Sequence, residues 1–222
     1  MIADFEKIQE LMKELNAALK KKTSLFMIGG GMLLYHGLKT ATKDIDIIAK
    51  NQEEFNAVEH AFKSIGFQSR FPSLEYKNMA LSQILLREDF RIDLFHKTVC
   101  SGFFLSDGMM KRATEALKLD KLTLYLCSIE DVFLFKTLTE REGDLEDCLA
   151  LAKRGIDWNA ILNELHHQIK ASGREVWITY VGERLDILED RGLVIPILPE
   201  VTRLREEYFK DYEKRMKDIK DE

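Results

Sequence analysis

The sequence predicts an α/β (α+β) domain over residues 1–120 followed by a mainly helical domain over residues 121–222, and three observations carry that reading. Up to about Asp107, apolar runs of strand length alternate with helical segments; beyond Thr123 helical periodicity dominates. At 222 residues and 45% hydrophobic side chains, the chain can bury one substantial core or two small ones. No internal repeat or low-complexity linker interrupts it.

Taken in order, Phe5, Ile8, Met12, Leu15 and Leu19 recur at helical spacing, and Lys20-Lys21-Lys22 ends that helix where cations complement its dipole. Leu25 to Ile28 is an apolar run suited to a buried strand. Gly29-Gly30-Gly31 makes a turn after it, and Met32 to Leu38 is apolar enough to pack as a helix. Asp44 to Ala49 alternates polar and apolar, so Asp44 and Asp46 share one face while Ile45 and Ile47 point into the core. Ser82 to Arg87 and Phe90 to Phe95 form a hairpin-like pair joined through Glu88 and Asp89, and in its second strand Arg91, Asp93 and Phe95 share a face. Ser128 to Asp131 is a capping box that opens the helix carrying Lys136, with further helices near 144–153, 157–171 and 174–190. In the last segment Val201, Leu204, Tyr208, Tyr212, Met216 and Ile219 form a near-helical stripe. It is expected to cover the helical domain, with a partner surface as the alternative.

The chemistry concentrates on the acids. Adjacent carboxylates repel one another, which makes Asp44 and Asp46 costly alone and well matched to divalent cations. Mg2+ prefers oxygen ligands, commonly one or two carboxylates with phosphates and waters. If the Asp93 strand lies beside the Asp44–Asp46 strand, three acids converge. The N–H groups of Gly30 and Gly31, after a glycine turn at a helix N-terminus, can approach phosphate oxygens because no Cβ intervenes. The spacing is Gly30-Gly31, twelve residues (32–43), Asp44-Ile45-Asp46, and later Asp93.

As a set these pieces resemble the nucleotidyltransferase superfamily, which includes DNA polymerase β, the tRNA nucleotidyltransferases and the antibiotic nucleotidyltransferases. The run His36-Gly37-Leu38-Lys39-Thr40-Ala41-Thr42-Lys43-Asp44-Ile45-Asp46 looks like the phrase of stand-alone prokaryotic members such as the AbiEii-like toxins. So does the later run holding Lys136, Arg141, Asp144 and Asp147, and the likeness spans residues 24–155. The resemblance implies a mixed sheet and a helical C-terminal domain closing a nucleotide cleft. It implies a nucleoside triphosphate and Mg2+ (or Mn2+) as ligands. Asp44, Asp46 and Asp93 are then the catalytic metal ligands, and Gly30, Gly31, Lys39, Thr42, Lys43 and Lys136 the nucleotide-binding set. Two positions depart from the pattern: Gly31 stands where many relatives have serine, and Lys39 where arginine is usual, keeping the charge without the bidentate fork.

Other readings are narrower. A dinucleotide fingerprint needs glycine at position 34, which is Leu34, and a Walker loop needs Gly-Lys followed by Ser or Thr, which Gly37-Leu38-Lys39 does not supply. Asp144 fits a helix N-cap with Asp147 in the capping-box position, and Lys136 fits a snorkelling surface lysine as well as a phosphate ligand. His36 suits packing better than base chemistry, His96 is a candidate for the edge of the site, and His166-His167 lacks the spacing of a helical zinc pair. Three widely spaced cysteines suggest neither a disulfide framework nor a metal site, so a reducing cytoplasm is expected. No apolar run reaches membrane-spanning length, and a net charge of −5 argues against broad nucleic-acid binding.

The expectation is transfer of a nucleoside monophosphate from a triphosphate to a hydroxyl, with the acceptor open among a tRNA end, a protein and a small molecule. Two other classes stand beside it. One is a noncatalytic nucleotide sensor or toxin–antitoxin component on the same fold; the other is a metal-dependent phosphodiesterase using the same acids.

Overall fold

The structure is a computed structural model that describes residues 1–71 and 80–220. Helix α1 (Phe5–Ala18) opens where the Asp4 carboxylate accepts from the Glu6 amide, and it buries Ile8, Leu11, Met12 and Leu15. Strand β1 (Thr23–Ile28) follows, then helix α2 (Gly29–Tyr35) and strand β2 (Ile45–Ala49). The glycines therefore form the first turn of α2 instead of preceding it. Helix α3 (Gln52–Ser64), capped by Asn51, leads to β3 (Gln68–Arg70). The predicted hairpin is present as β4 (Gln83–Arg87) and β5 (Phe90–His96), paired antiparallel through a turn in which Glu88 takes a φ of 49°.

A small antiparallel pair, β6 (Thr98–Val99) and β7 (Phe103–Phe104), precedes helix α4 (Asp107–Arg112), strands β8 (Thr114–Lys118) and β9 (Leu122–Leu126), and helix α5 (Ile129–Lys136). Among the described residues one mixed sheet of seven strands runs in the order β3-β4-β5-β2-β1-β9-β8. Pairing is parallel for β2 with β5 and β1 with β9, and antiparallel elsewhere. Its centre is covered on both sides: Leu25 to Ile28, Ile47 to Ala49 and Ile92 to Phe95 are buried at both strand parities.

The chain divides into two compact units, Met1–Phe135 and Lys136 onward. The segment Leu122-Thr123-Leu124-Tyr125-Leu126 has strand alternation, with its three leucines buried, and β9 joins the sheet beside β1. Phe26 and its register partner Tyr125 stack at 5.2 Å across that pairing. The second unit is helical: α6 (Glu142–Ala152), α7 (Trp158–Ser172), α8 (Trp177–Asp190) and α9 (Leu198–Lys220). Along α9 the stripe changes character, with Val201 buried and Tyr212 and Met216 exposed. No helix among the described residues is long and apolar enough to cross a membrane.

Candidate active site

The acids gather at the start of β2. Asp44 is the residue before the strand and Asp46 the second within it, both half-buried, while Ile45 and Ile47 are fully buried as the alternation requires. The β2–β5 register pairs Asp46 with Asp93. Register partners on neighbouring strands stand on the same face of a sheet, roughly 4.8 Å apart along the hydrogen-bonding direction.

Asp46 also touches the glycine turn. Gly29 has a φ of +62°, and a Cβ there would lie 2.0 Å from Asp46 Oδ2. Only glycine combines that left-handed backbone with room for the carboxylate. Gly30 and Gly31 are needed for a different reason: a Cβ on Gly30 would meet Thr42 Oγ1 at 2.3 Å, and one on Gly31 would meet Met27 Sδ at 2.9 Å. Their main-chain amides lie in the first turn of α2, where N–H groups have no carbonyl partner within a helix.

Thr42, expected at the nucleotide, is buried and braces the loop. Its hydroxyl donates to the Asp44 carbonyl at 2.9 Å, and its main chain pairs with Ile2 in both directions at 2.8 Å. The β-bridge from the N-terminus thus pins the segment that delivers Asp44. Lys39 is half-buried and Lys43 exposed on that loop. His96, expected at the edge of the site, pairs in register with Ala49, three residues along β5 from Asp93, and its ring lies edge-on to Phe55 at 5.8 Å. At ~3.3 Å per residue that is about 10 Å away.

The register sets Asp46 beside Asp93, and the Asp93 carboxylate is engaged by a neighbouring side chain. Asp93 is 1% exposed, and its carboxylate is held in a two-pronged ion pair by Arg91, Nε to Oδ1 at 2.7 Å and Nη2 to Oδ2 at 2.8 Å. Among the described residues no group of three His, Cys, Asp or Glu side chains stands close enough to hold a metal ion. A buried carboxylate needs a counter-charge, and Arg91 supplies one to Asp93 from two residues away. Asp44 and Asp46 by themselves fit a hard divalent cation, being two oxygen donors on a half-open strand end beside a glycine turn. Asp93 fits as a third donor once its pairing with Arg91 is exchanged.

The family model for "nucleotidyltransferase of unknown function (DUF6036)" matches residues 3–175. The chain belongs to this nucleotidyltransferase family. The matched span takes in the whole sheet and the helices α5, α6 and α7. No curated protein matches the sequence. Among solved structures the nucleotidyltransferase chain is similar to ANT(2'')-Ia in complex with adenylyl-2''-tobramycin, at 12% identity and a TM-score of 0.48, over 75% of this chain and 99% of that one. The solution structure of the same antibiotic-resistance factor gives 12% identity and 0.49 over 78% and 97%. A candidate nucleotidyltransferase from Thermotoga maritima gives 16% identity and 0.42 over 69% and 94%.

In the helical unit of this nucleotidyltransferase, Lys136 is not a snorkelling surface lysine. It is buried, with its ammonium 2.6 Å from both Asp144 Oδ1 and Asp147 Oδ2. Asp144 is not the N-cap of α6, a position taken by Arg141; it lies in the first turn and also accepts from the Thr139 hydroxyl and from Arg141 Nε at 2.7 Å. Burial pushes the Asp144 carboxyl up, but Lys136, Thr139 and Arg141 outweigh it and hold the group down at about 2. For Lys136, burial favours the neutral amine, and the two carboxylates reverse that and raise its pKa.

Sequence reasoning missed two features of the site, the roles of Gly29 and Arg91. Both had a visible signal: Gly29 is the first of three glycines directly after an apolar strand, and Arg91 stands two residues before Asp93 on one strand face.

Proposed function

We propose that this nucleotidyltransferase moves a nucleoside monophosphate from a nucleoside triphosphate to a hydroxyl acceptor at the strand end bearing Asp44, Asp46 and Asp93. The observation that supports this best is the lateral pairing of Asp46 with Asp93, with Gly29 opened to leave room for the Asp46 carboxylate. In this reading Asp44 and Asp46, with Asp93 as third donor, would hold Mg2+ or Mn2+, which supplies positive charge against the phosphate oxygens when bound.

The chain's own groups do the rest. The first-turn amides at Gly30 and Gly31 donate to phosphate oxygens, and Lys39 and Lys43 add charge from the adjoining loop. The acceptor oxygen attacks the α-phosphorus in line, the bond from that phosphorus to the bridging oxygen breaks, and pyrophosphate leaves. The acceptor proton passes to a carboxylate oxygen of Asp93. Thr42 holds Asp44 in place through its carbonyl. Most of the rate comes from positioning and charge stabilisation. Lys136 is outside this set because two aspartates enclose it.

The test is a screen of the four NTPs, each labelled at the α-phosphate, with Mg2+ and cell extract, comparing the wild type with Asp44→Ala and Asp46→Ala. Transfer of label by the wild type and its loss in both variants is expected. Unchanged products in the variants remove the assigned roles, and nucleotide binding without transfer to any RNA, protein or small-molecule fraction turns the reading to a sensor.

A further inference from the structure

We propose that the helical unit holds a binding site for a small amphiphilic carboxylate, an apolar body that ends in one negative charge. A cavity of about 390 Å3 opens in that unit, lined by side chains of α7, α8 and α9 and by Glu175. Its volume falls in the range of small-molecule sites. The apolar lining is Ile169 from α7, Ile178 from α8, and Leu204 and Tyr208 from α9. Ile178 is buried and the other three are half-buried, so the hollow has an apolar floor that water reaches from one side. Tyr208 is steadied by ring contacts to Phe209 at 5.6 Å and Tyr212 at 6.3 Å. An apolar body seated there removes that floor from water, which drives binding.

Charge selects the head group. His166, Lys170, Glu175 and Glu207 also line the cavity. The two acids are answered within the chain: Glu207 accepts from Arg203, and Glu175 stands 3.6 Å from Arg215. His166, one helical turn before Lys170 on the same face, is within electrostatic reach of Glu200, which itself pairs with Arg203. Lys170 is exposed and has no acidic partner among the described residues. The unspent charge at the rim is therefore an ammonium beside an apolar floor. A carboxylate on an apolar body matches both; a cation would meet Lys170 and find the glutamates engaged, and a neutral molecule would leave the ammonium unused.

The experiment titrates the full chain with three probes that share one body, octanoate, 1-octanol and octylammonium, and follows the methyl resonances of Ile169, Ile178 and Leu204. Octanoate should shift those methyls and bind at least about five-fold tighter than 1-octanol, the factor expected of one close charge pair in water. Octylammonium should bind weakest. Lys170→Gln, at an exposed position, should bring octanoate down to the affinity of 1-octanol and leave 1-octanol itself within about two-fold. Leu204→Trp fills the hollow and should remove both. Melting curves check folding, and if Leu204→Trp unfolds, the Lys170→Gln comparison stands alone.

Methyl resonances unmoved by octanoate, equal affinity for octanoate and 1-octanol, or a preference for octanoate that survives Lys170→Gln overturns the proposal. The titration contains no nucleotide or divalent cation, so its outcome leaves the assignment of Asp44, Asp46 and Asp93 untouched.

Discussion

Gly29 offers the sharpest test of whether Asp46 is placed by the glycine turn, because the fold supplies its own control. Gly29 and Gly37 have nearly the same backbone, φ +62° and +66°, but a Cβ at Gly29 lies 2.0 Å from Asp46 Oδ2, while one at Gly37 meets nothing within 4 Å. Replacing either glycine with alanine forces a left-handed L-residue, at a cost of roughly 1–2 kcal/mol. In a chain of this size that lowers Tm by about 2–8 °C. Only Gly29→Ala must also drive the carboxylate oxygen back, by about 1.4 Å to go from 2.0 Å to the 3.4 Å at which ordinary contact begins. A displacement of that order at a reacting centre costs on the order of 100-fold in rate. Thermal melts and label transfer from the α-phosphate, run on both variants, separate the two terms. Gly37→Ala should lose stability and keep transfer within about two-fold of wild type, whereas Gly29→Ala should lose similar stability and about two orders of magnitude in rate. Equal loss of transfer in the two variants, or none in Gly29→Ala, refutes the argument.

Other expectations follow from the same residues. Thr42→Val keeps the β-branched shape and removes the bond to the Asp44 carbonyl; urea melts should show a loss of about 1 kcal/mol, and transfer should slow with it. Asp144 is held at about 2 against an ordinary 3.8, so its contribution is complete above about pH 4 and disappears as pH falls toward 2. With Asp144 4% exposed, the difference of roughly 1.8 pH units is worth about 2 kcal/mol, measurable as a falling denaturation midpoint between pH 4 and pH 2. Lys136→Met strands two buried carboxylates and should cost about 3–5 kcal/mol at neutral pH in chemical denaturation. That deficit should shrink as acid protonates Asp144, and a deficit independent of pH would contradict the ion triad. Burial pushes the Cys148 thiol up to about 12, against a smaller opposing pull from Lys136, so a thiol reagent at pH 8 should leave Cys148 untouched in the native protein and react once it is denatured.

What the sequence made legible follows the range of the physics involved. Strand parity is local, so the shared face of Asp44 and Asp46 and the β4–β5 hairpin were readable from alternation and turn residues alone. The seat of β5 beside β2 was only a condition in the sequence, because register between strands some 45 residues apart depends on which apolar faces close over the sheet. The strand at Leu122 to Leu126 was hidden for a similar reason: it is short enough to pass for part of a helical region, and its parallel pairing with β1 makes it sheet. Lys136 and Asp144 were misread for the opposite reason. Capping and snorkelling rules describe helix ends in water, and both groups lie in an interior where paired charge outweighs those local preferences.

The Arg91–Asp93 pair joins the two kinds of information. Parity alone puts these residues on one face, but whether a carboxylate there is a ligand or half of an ion pair depends on burial, which the sequence does not state. Asp93 is enclosed, so its ionised form needs a positive partner, and Arg91 is that partner in this structure.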